Sequence, residues 1–268
     1  MEKGVFLRCK VCGHKSDKVF ETSIRKKYLV SYFRCRYCGF LQTEEPYWLE
    51  EAYSSPINVS DTGIMARNLH MAKVTSGLIY FLFDKKGAFV DSAGGYGVLV
   101  RLMRDVGFDF YWKDKYAENL FARGFEWDRQ LHPVVNLVTC FEAFEHFVSP
   151  LEEIEELRRI SGNILFTTQL LPTPVPEPRT WWYYGFDHGQ HIALYSLDSL
   201  RYIAKKLELN FYSRGSLHLL TQERFSGLFV STVMRFSDKA PFRFVRSKIK
   251  RKTADDMHLL GSAGKSIV

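Results

Sequence analysis

Apolar and polar positions follow two rhythms along this chain. From Asp61 onward, "IMARNLHMAKVTSGLIYFLF" repeats apolar residues at spacings of three and four and predicts a helix, which "KKG" then interrupts. After the break, short apolar runs alternate with amphipathic stretches. "AFVD" predicts a short buried strand, and "GVLVRLMRDVG" a helix with Gly107 just past its end. "FDFYWKD" predicts the next strand and "KYAENLFARG" a helix stopped by Gly124. "VVNLVTCF" and "NILFTTQ" predict two more strands. Between them lies the amphipathic helix "SPLEEIEELRRIS", with Ser149 as N-cap and Pro150 at its first position. "SLDSLRYIAKKLEL" predicts a helix capped by Ser196, and "NFYSRGSLHLLTQ" and "GLFVSTVMRFS" predict closing strands suited to antiparallel edges. Strand–helix alternation of this kind implies an α/β fold with a mostly parallel, doubly wound sheet.

The segment before this alternation has a different pattern. "CKVCG" and "CRYCG" repeat one five-residue word, and between them "FETSIRKKYLVSYFRC" carries strand-like stretches around a basic turn. Two Cys-x-x-Cys pairs place four thiols where they can meet around one ion, and Zn²⁺ takes four thiolates tetrahedrally. Cys9, Cys12, Cys35 and Cys38 are therefore the expected zinc ligands of a small N-terminal ribbon, with Gly13 and Gly39 closing the tight turns. Four protein ligands leave no open position, so this metal is expected to hold the fold and do no chemistry. The remaining cysteine, Cys140, lies in an apolar run and reads as a buried thiol. "MEKGVFLRCK" has no apolar core of a signal peptide, and a cytoplasmic location is expected.

Charge changes the picture of partners. The chain has 268 residues and a net charge of +7, 46% of it apolar. Residues 1–40 carry +7, residues 239–252 carry another +7, and residues 41–238 carry −6. A working face for nucleic acid is usually positive, and the acidic middle makes nucleic acid the less favoured partner. The basic stretch "KAPFRFVRSKIKRK" interleaves cations with Phe and Val. It could lie on an anionic membrane surface, touch nucleic acid, or be a solvated end.

The loop after the first strand of the alternation carries Asp91, Gly94, Gly95 and Gly97, where ligands of such sheets bind. A phosphate-cradling loop would need Lys-Ser/Thr after the glycines, and "GVLV" lacks it. A nicotinamide dinucleotide fits Gly-x-Gly-x-x-Gly only in part. S-adenosylmethionine has no phosphate but has an amino group, a carboxylate and a ribose. Asp91 at the end of one strand and Asp114 at the end of the next suit the amino acid part and the ribose hydroxyls. Dinucleotide folds also place an acid at the second position, so Asp114 does not by itself decide between the two.

Taken in order, "FVDSAGGYGVLV", "FYWKDKYAENLFARGFE", "VVNLVTCFEAFEHFVSPLEEIEEL" and "NILFTTQLLP" resemble class I S-adenosylmethionine-dependent methyltransferases over about residues 64–215. The cysteine module in front is similar to that of bacterial sugar and glycan-pathway methyltransferases. Ala93 stands where the family usually has its first glycine, and Asn136 where it usually has Asp. The resemblance implies a Rossmann-like fold in which Asp91, Ala93, Gly95 and Gly97 line the methionine part and Asp114 holds the ribose. Glu126 would approach the adenine edge, and Phe141 and Glu142 would close over the cofactor. The expected organisation is a zinc ribbon over 1–45, a linker and leading helix over 46–83, the methyltransferase domain over 84–236 and a basic tail over 237–268.

The acceptor is expected on the long segment "QLLPTPVPEPRTWWYYGFDHGQHIALYS". Trp181, Trp182, Tyr183 and Tyr184 would offer faces to a sugar or a flat ring. His188 and His191 are the candidate general bases, and bracing of the loop is the competing role for each. As a metal pair they lack an evident third ligand. The expected activity is methyl transfer to a small or carrier-linked acceptor such as a glycan-pathway sugar. The alternatives are a zinc-ribbon RNA-binding protein with an RNA-modifying or inactive methyltransferase-like domain, and a nicotinamide-dependent oxidoreductase.

Overall fold

A computed structural model describes residues 6–53 and 61–263. In chain order these residues form β1 (Phe6–Arg8), β2 (Lys15–Ile24), β3 (Tyr28–Cys35), β4 (Leu41–Thr43), α1 (Leu49–Ala52), α2 (Ile64–Leu82), β5 (Ala88–Ser92), α3 (Val98–Val106), β6 (Asp109–Lys113) and β7 (Val135–Cys140). They continue through a 3₁₀ turn at Phe144–His146, α4 (Pro150–Ile160), β8 (Asn163–Thr167), a second 3₁₀ turn at Trp182–Tyr184, β9 (Ala193–Leu194) and α5 (Leu197–Lys206). The last elements are β10 (Asn210–Arg214), β11 (Leu217–Thr221), α6 (Gly227–Phe236), α7 (Ala240–Lys248) and α8 (Thr253–Ala263). Residues 54–60 of the turn-rich stretch expected over 46–63 lie outside the described residues, as do residues 264–268 of the basic tail.

The chain divides into two compact units. One comprises Met1–Asn58, Phe141–Arg159 and Phe166–Glu223, the other Val59–Cys140, Ile160–Leu165 and Arg224–Val268. The six-stranded sheet has the strand order β10-β11-β8-β7-β5-β6. The fold is α/β and Rossmann-like. β5 pairs in parallel with both β6 and β7, and the β10–β11 hairpin supplies the antiparallel edge.

In the second unit α2 packs against α3, α6 and α7. Segment 227–237, expected as a strand, is the helix α6. Its apolar run is rich in Val and Phe, which reads as strand. Yet Val230, Val233 and Met234 form the buried stripe at helical spacing, and α2 covers it. The basic segment is helical too. α7 buries Val245, and α8 sends Asp256 inward to Arg104 of α3 with bonds of 2.7 and 2.8 Å. Among the described residues no helix is long and apolar enough to cross a membrane.

The first unit contains a second, antiparallel sheet in the order β1-β2-β3-β4-β9. β9 comes from the segment expected to face the acceptor, so the cysteine ribbon and that segment share one sheet. Their packing is aromatic. Phe20 and Tyr32 of the hairpin meet the Tyr184 ring edge-on at 5.4 and 6.0 Å, and the Trp48 indole N–H donates to the Gly189 carbonyl at 2.7 Å. Ser196 caps α5 as its sequence implies, accepting from the Ser199 N–H.

Candidate functional site

The two cysteine words fold into the same turn. Gly13 N–H donates to Cys9 O and Gly39 N–H to Cys35 O, at 2.9 and 3.0 Å, and both glycines take positive φ. The turns converge from the β1–β2 and β3–β4 connections. Sγ of Cys9 lies 3.6 Å from that of Cys38, and Sγ of Cys12 lies 3.3 Å from that of Cys35. All four sulfurs fall within 4.8 Å of one another. Thiolates around Zn²⁺ at about 2.3 Å would stand roughly 3.8 Å apart, so the set fits that ion. Gln42 braces the first turn, accepting from Lys10 N–H at 2.8 Å and donating to Arg8 O at 3.0 Å.

In the second unit the glycine loop leaves β5 at Ser92 and enters α3 at Val98. Gly97 has φ +84°, and a Cβ there would lie 2.6 Å from Asn119 Oδ1, so only glycine fits. Gly95 also has positive φ, and a Cβ there would meet nothing within 4 Å, so its backbone faces open space. Asp91 is buried, with Oδ1 accepting from the Thr139 hydroxyl at 2.6 Å. Burial, opposed by that hydrogen bond and aided by the Asp114 charge, pushes the Asp91 carboxyl up to about 7. Asp114 gives one oxygen to Gly95 N–H at 2.9 Å and the other to Tyr116 and Ala117 N–H at 2.7 and 2.8 Å.

These bonds explain a correction. The helix expected over 115–124 is absent, and the segment is a run of turns. Asp114 and Asn119 take backbone N–H groups with their own side chains, Asn119 Oδ1 accepting from Ala122 N–H at 2.9 Å. Asn119 also donates to Glu126 Oε1 at 2.6 Å, and Glu126 pairs with Trp112 in a parallel bridge beside β6. The structure thus gathers Asp91, Ala93, Gly95, Gly97 and Asp114 in one loop region and joins Glu126 to it through Asn119. Thr139 and Asn119 were missed from the sequence because neither belongs to a motif.

Phe141 and Glu142 belong to the first unit. Glu142 has positive φ, and Thr167 Oγ1 both accepts its N–H at 2.9 Å and donates to its Oε1 at 2.7 Å. Past it, the 3₁₀ turn brings Glu145 and His146 beside the aromatic segment. Tyr183 and Tyr184 are core residues, whereas Trp182 is 76% exposed. His191 Nδ1 lies 2.6 Å from the Tyr183 carbonyl. A carbonyl only accepts, so Nδ1 carries the proton and Nε2 the free pair. His188 is the reverse. Its Nδ1 accepts from Gln190 N–H at 3.1 Å, which puts the proton of the neutral ring on Nε2. His188 therefore braces its loop in this conformation. The rings of His146 and His188 stand 5.0 and 4.7 Å from that of His191. Burial, then the neighbouring rings, hold His191 well below the usual histidine range; burial and then His188 put His146 at about 3. Burial and then the Glu142 charge push Glu145 up to about 8.

Solved structures similar to the chain include the following three. An O-methyltransferase family protein from Burkholderia thailandensis is 15% identical with a TM-score of 0.41, covering 67% of this chain and 68% of its own. Magnesium protoporphyrin IX methyltransferase from Synechocystis PCC 6803, with bound SAH, is 13% identical with a TM-score of 0.41, covering 64% and 90%. Human N-acetylserotonin methyltransferase, in complex with SAM, is 13% identical with a TM-score of 0.39, covering 66% and 66%. No curated protein matches the chain. A family model described as a methyltransferase domain matches residues 65–213, more than half of the chain and the span that holds the glycine loop, Asp114, Glu145 and His191. The chain belongs to that family of methyltransferases.

Proposed function

We propose that this methyltransferase acts on a small or carrier-linked acceptor of the sugar type, and that its cysteine ribbon holds a structural zinc. The observation that carries the cofactor assignment is Asp91. A buried acid held near neutrality beside a second carboxylate favours a cationic ligand, and S-adenosylmethionine carries both an ammonium and a sulfonium. The cofactor, when bound, supplies an electrophilic methyl group. Asp91 takes the ammonium directly or through water, and the Ala93, Gly95 and Gly97 backbone lies along the methionine part. Asp114 and Glu126 are the acceptors for the ribose and the adenine edge. On the first unit Trp181 and the exposed Trp182 offer aromatic faces to sugar C–H groups. Of the two histidines, only His191 presents a free pair toward a reacting proton.

Calorimetric titration with S-adenosylmethionine and with its demethylated product tests the cofactor site. Binding of both is expected, and binding of neither by a folded, zinc-loaded chain would overturn it. Methyl transfer from labelled cofactor to nucleotide sugars or glycans is then expected. Transfer confined to RNA would replace the sugar reading with the RNA-modifying one.

The zinc assignment has its own test. Protein as purified is expected to hold zinc that Cys35→Ser releases, with earlier proteolysis of residues 6–43. Stoichiometric zinc retained by Cys35→Ser would refute it.

A further inference from the structure

Among the described residues Glu145 is a buried carboxyl with no partner. It is 0% exposed, and neither carboxylate oxygen has a hydrogen-bond partner. The Thr168 and Tyr183 hydroxyls face it, but they bond each other at 3.2 Å, and neither reaches hydrogen-bond geometry with its oxygens. A buried carboxyl without partners costs free energy unless something completes it. The next residue in the chain, His146, and the distant His191 share its surroundings. One ligating atom from each of Glu145, His146 and His191 falls within 4.8 Å of the others.

We infer that Glu145, His146 and His191 bind a divalent first-row transition ion, separate from the four-cysteine centre. Two imidazoles and one carboxylate are a donor set for Zn²⁺, Mn²⁺, Fe²⁺ or Co²⁺. The outer contacts are those such ligands need. A metal-bound imidazole normally gives its other N–H to an oxygen, which fixes the tautomer. His191 does so already, through Nδ1–H to the Tyr183 carbonyl at 2.6 Å. His146 Nδ1 lies 2.7 Å from the Tyr53 hydroxyl, and donation to that oxygen leaves Nε2 with the free pair. Coordination at about 2.0–2.2 Å draws ligand atoms to roughly 3–3.5 Å of one another, a closure within reach of side-chain rotation. Three protein ligands leave positions for water or an acceptor oxygen. The His191 pair that would otherwise take a proton is then a ligand. The site is defined by geometry and does not depend on which acceptor the enzyme methylates.

The test is metal uptake by the intact chain. Protein is loaded with Mn²⁺, Co²⁺ or Zn²⁺ in turn, gel-filtered and analysed for metal, and Mn²⁺ affinity is read from the loss of the free-ion paramagnetic resonance signal. A second ion beyond that of the thiolates is expected in the wild type. Glu145→Gln and His191→Gln are expected to weaken Mn²⁺ binding by more than tenfold while keeping the thiolate-bound zinc. Tyr53→Phe, which removes the hydroxyl that contacts His146, is expected to weaken it by about tenfold to a hundredfold. Glu145→Gln keeps the side-chain shape and His191→Gln keeps a polar group, so one of the pair serves if the other fails to fold. No second ion with any of the three metals, or unchanged Mn²⁺ affinity in a folded Glu145→Gln protein, overturns the site.

Discussion

Arg104→Ala is expected to lower the unfolding free energy by about 3–5 kcal/mol, the usual cost of stripping one partner from a buried ion pair. Arg104 and Asp256 side chains are 4% and 5% exposed. Two parallel hydrogen bonds of 2.8 and 2.7 Å join them, Arg104 also donates to the Phe110 carbonyl at 3.1 Å, and its guanidinium lies 3.7 Å from the Phe125 ring centroid. Removing the guanidinium leaves a buried carboxylate whose remaining cation is Arg101, at 2.8 Å. The expected loss of melting temperature is on the order of 10 °C. Asp256→Ala should cost a similar amount, and the double variant less than the sum, because the two changes remove one interaction. Additive losses would show that the pair is not coupled. The pH dependence follows from Asp256. Burial alone would raise its carboxyl, but hydrogen bonds from Arg104 and Arg101 outweigh burial and hold it below the ordinary value. A depressed acid stabilises above its unfolded pKa. Its contribution is therefore present from about pH 4 upward and is lost as pH falls through the folded value.

Asp91→Asn is expected to weaken S-adenosylmethionine binding by roughly tenfold to a hundredfold, as loss of a charge-assisted hydrogen bond does. The same change is expected to stabilise the cofactor-free protein at alkaline pH. The folded Asp91 pKa is raised to about 7, above the usual carboxylate range, so the folded state holds a proton that the unfolded state has released. Stability thus falls as pH rises from that range to about 7, and Asn, which cannot ionise, abolishes that fall. Cofactor affinity in the wild type runs the opposite way. A cationic ligand selects the carboxylate, so affinity should decline as pH drops below about 7, and Asp91→Asn should flatten this dependence. Calorimetry between pH 5.5 and 8.5 checks both. An unchanged affinity in Asp91→Asn would remove Asp91 from the cofactor site.

The two effects were not equally visible in the chain itself. The cysteine words were legible because each turn closes within five residues, from Cys9 to Gly13 and from Cys35 to Gly39. The β5 strand, Asp91 and the glycine entry to α3 were legible for the same reason. So was the Ser196 cap, since it accepts from a group three residues away. Local geometry and local hydrogen bonds leave a signature at fixed spacing.

Where the reading departed from the structure, a side chain or a distant surface decided. Residues 115–124 have helical composition, but Asp114 and Asn119 claim the N–H groups that a helix would use. Segment 227–236 has strand-like composition, but α2 presents a surface that rewards burial of one helical stripe. The longest separations left no trace in sequence. Asp256 stands 152 residues from Arg104, and a basic tail gave no sign that it carries the partner of a buried arginine. His191 meets Glu145 and His146 across the whole of β8 and the aromatic segment. The sequence by itself determined which residues could act as zinc ligands, loop glycines and helix caps, because those depend on neighbours within one turn. Tertiary structure alone decided which acids and histidines face one another, because that depends on which elements are packed together and on the loss of water between them.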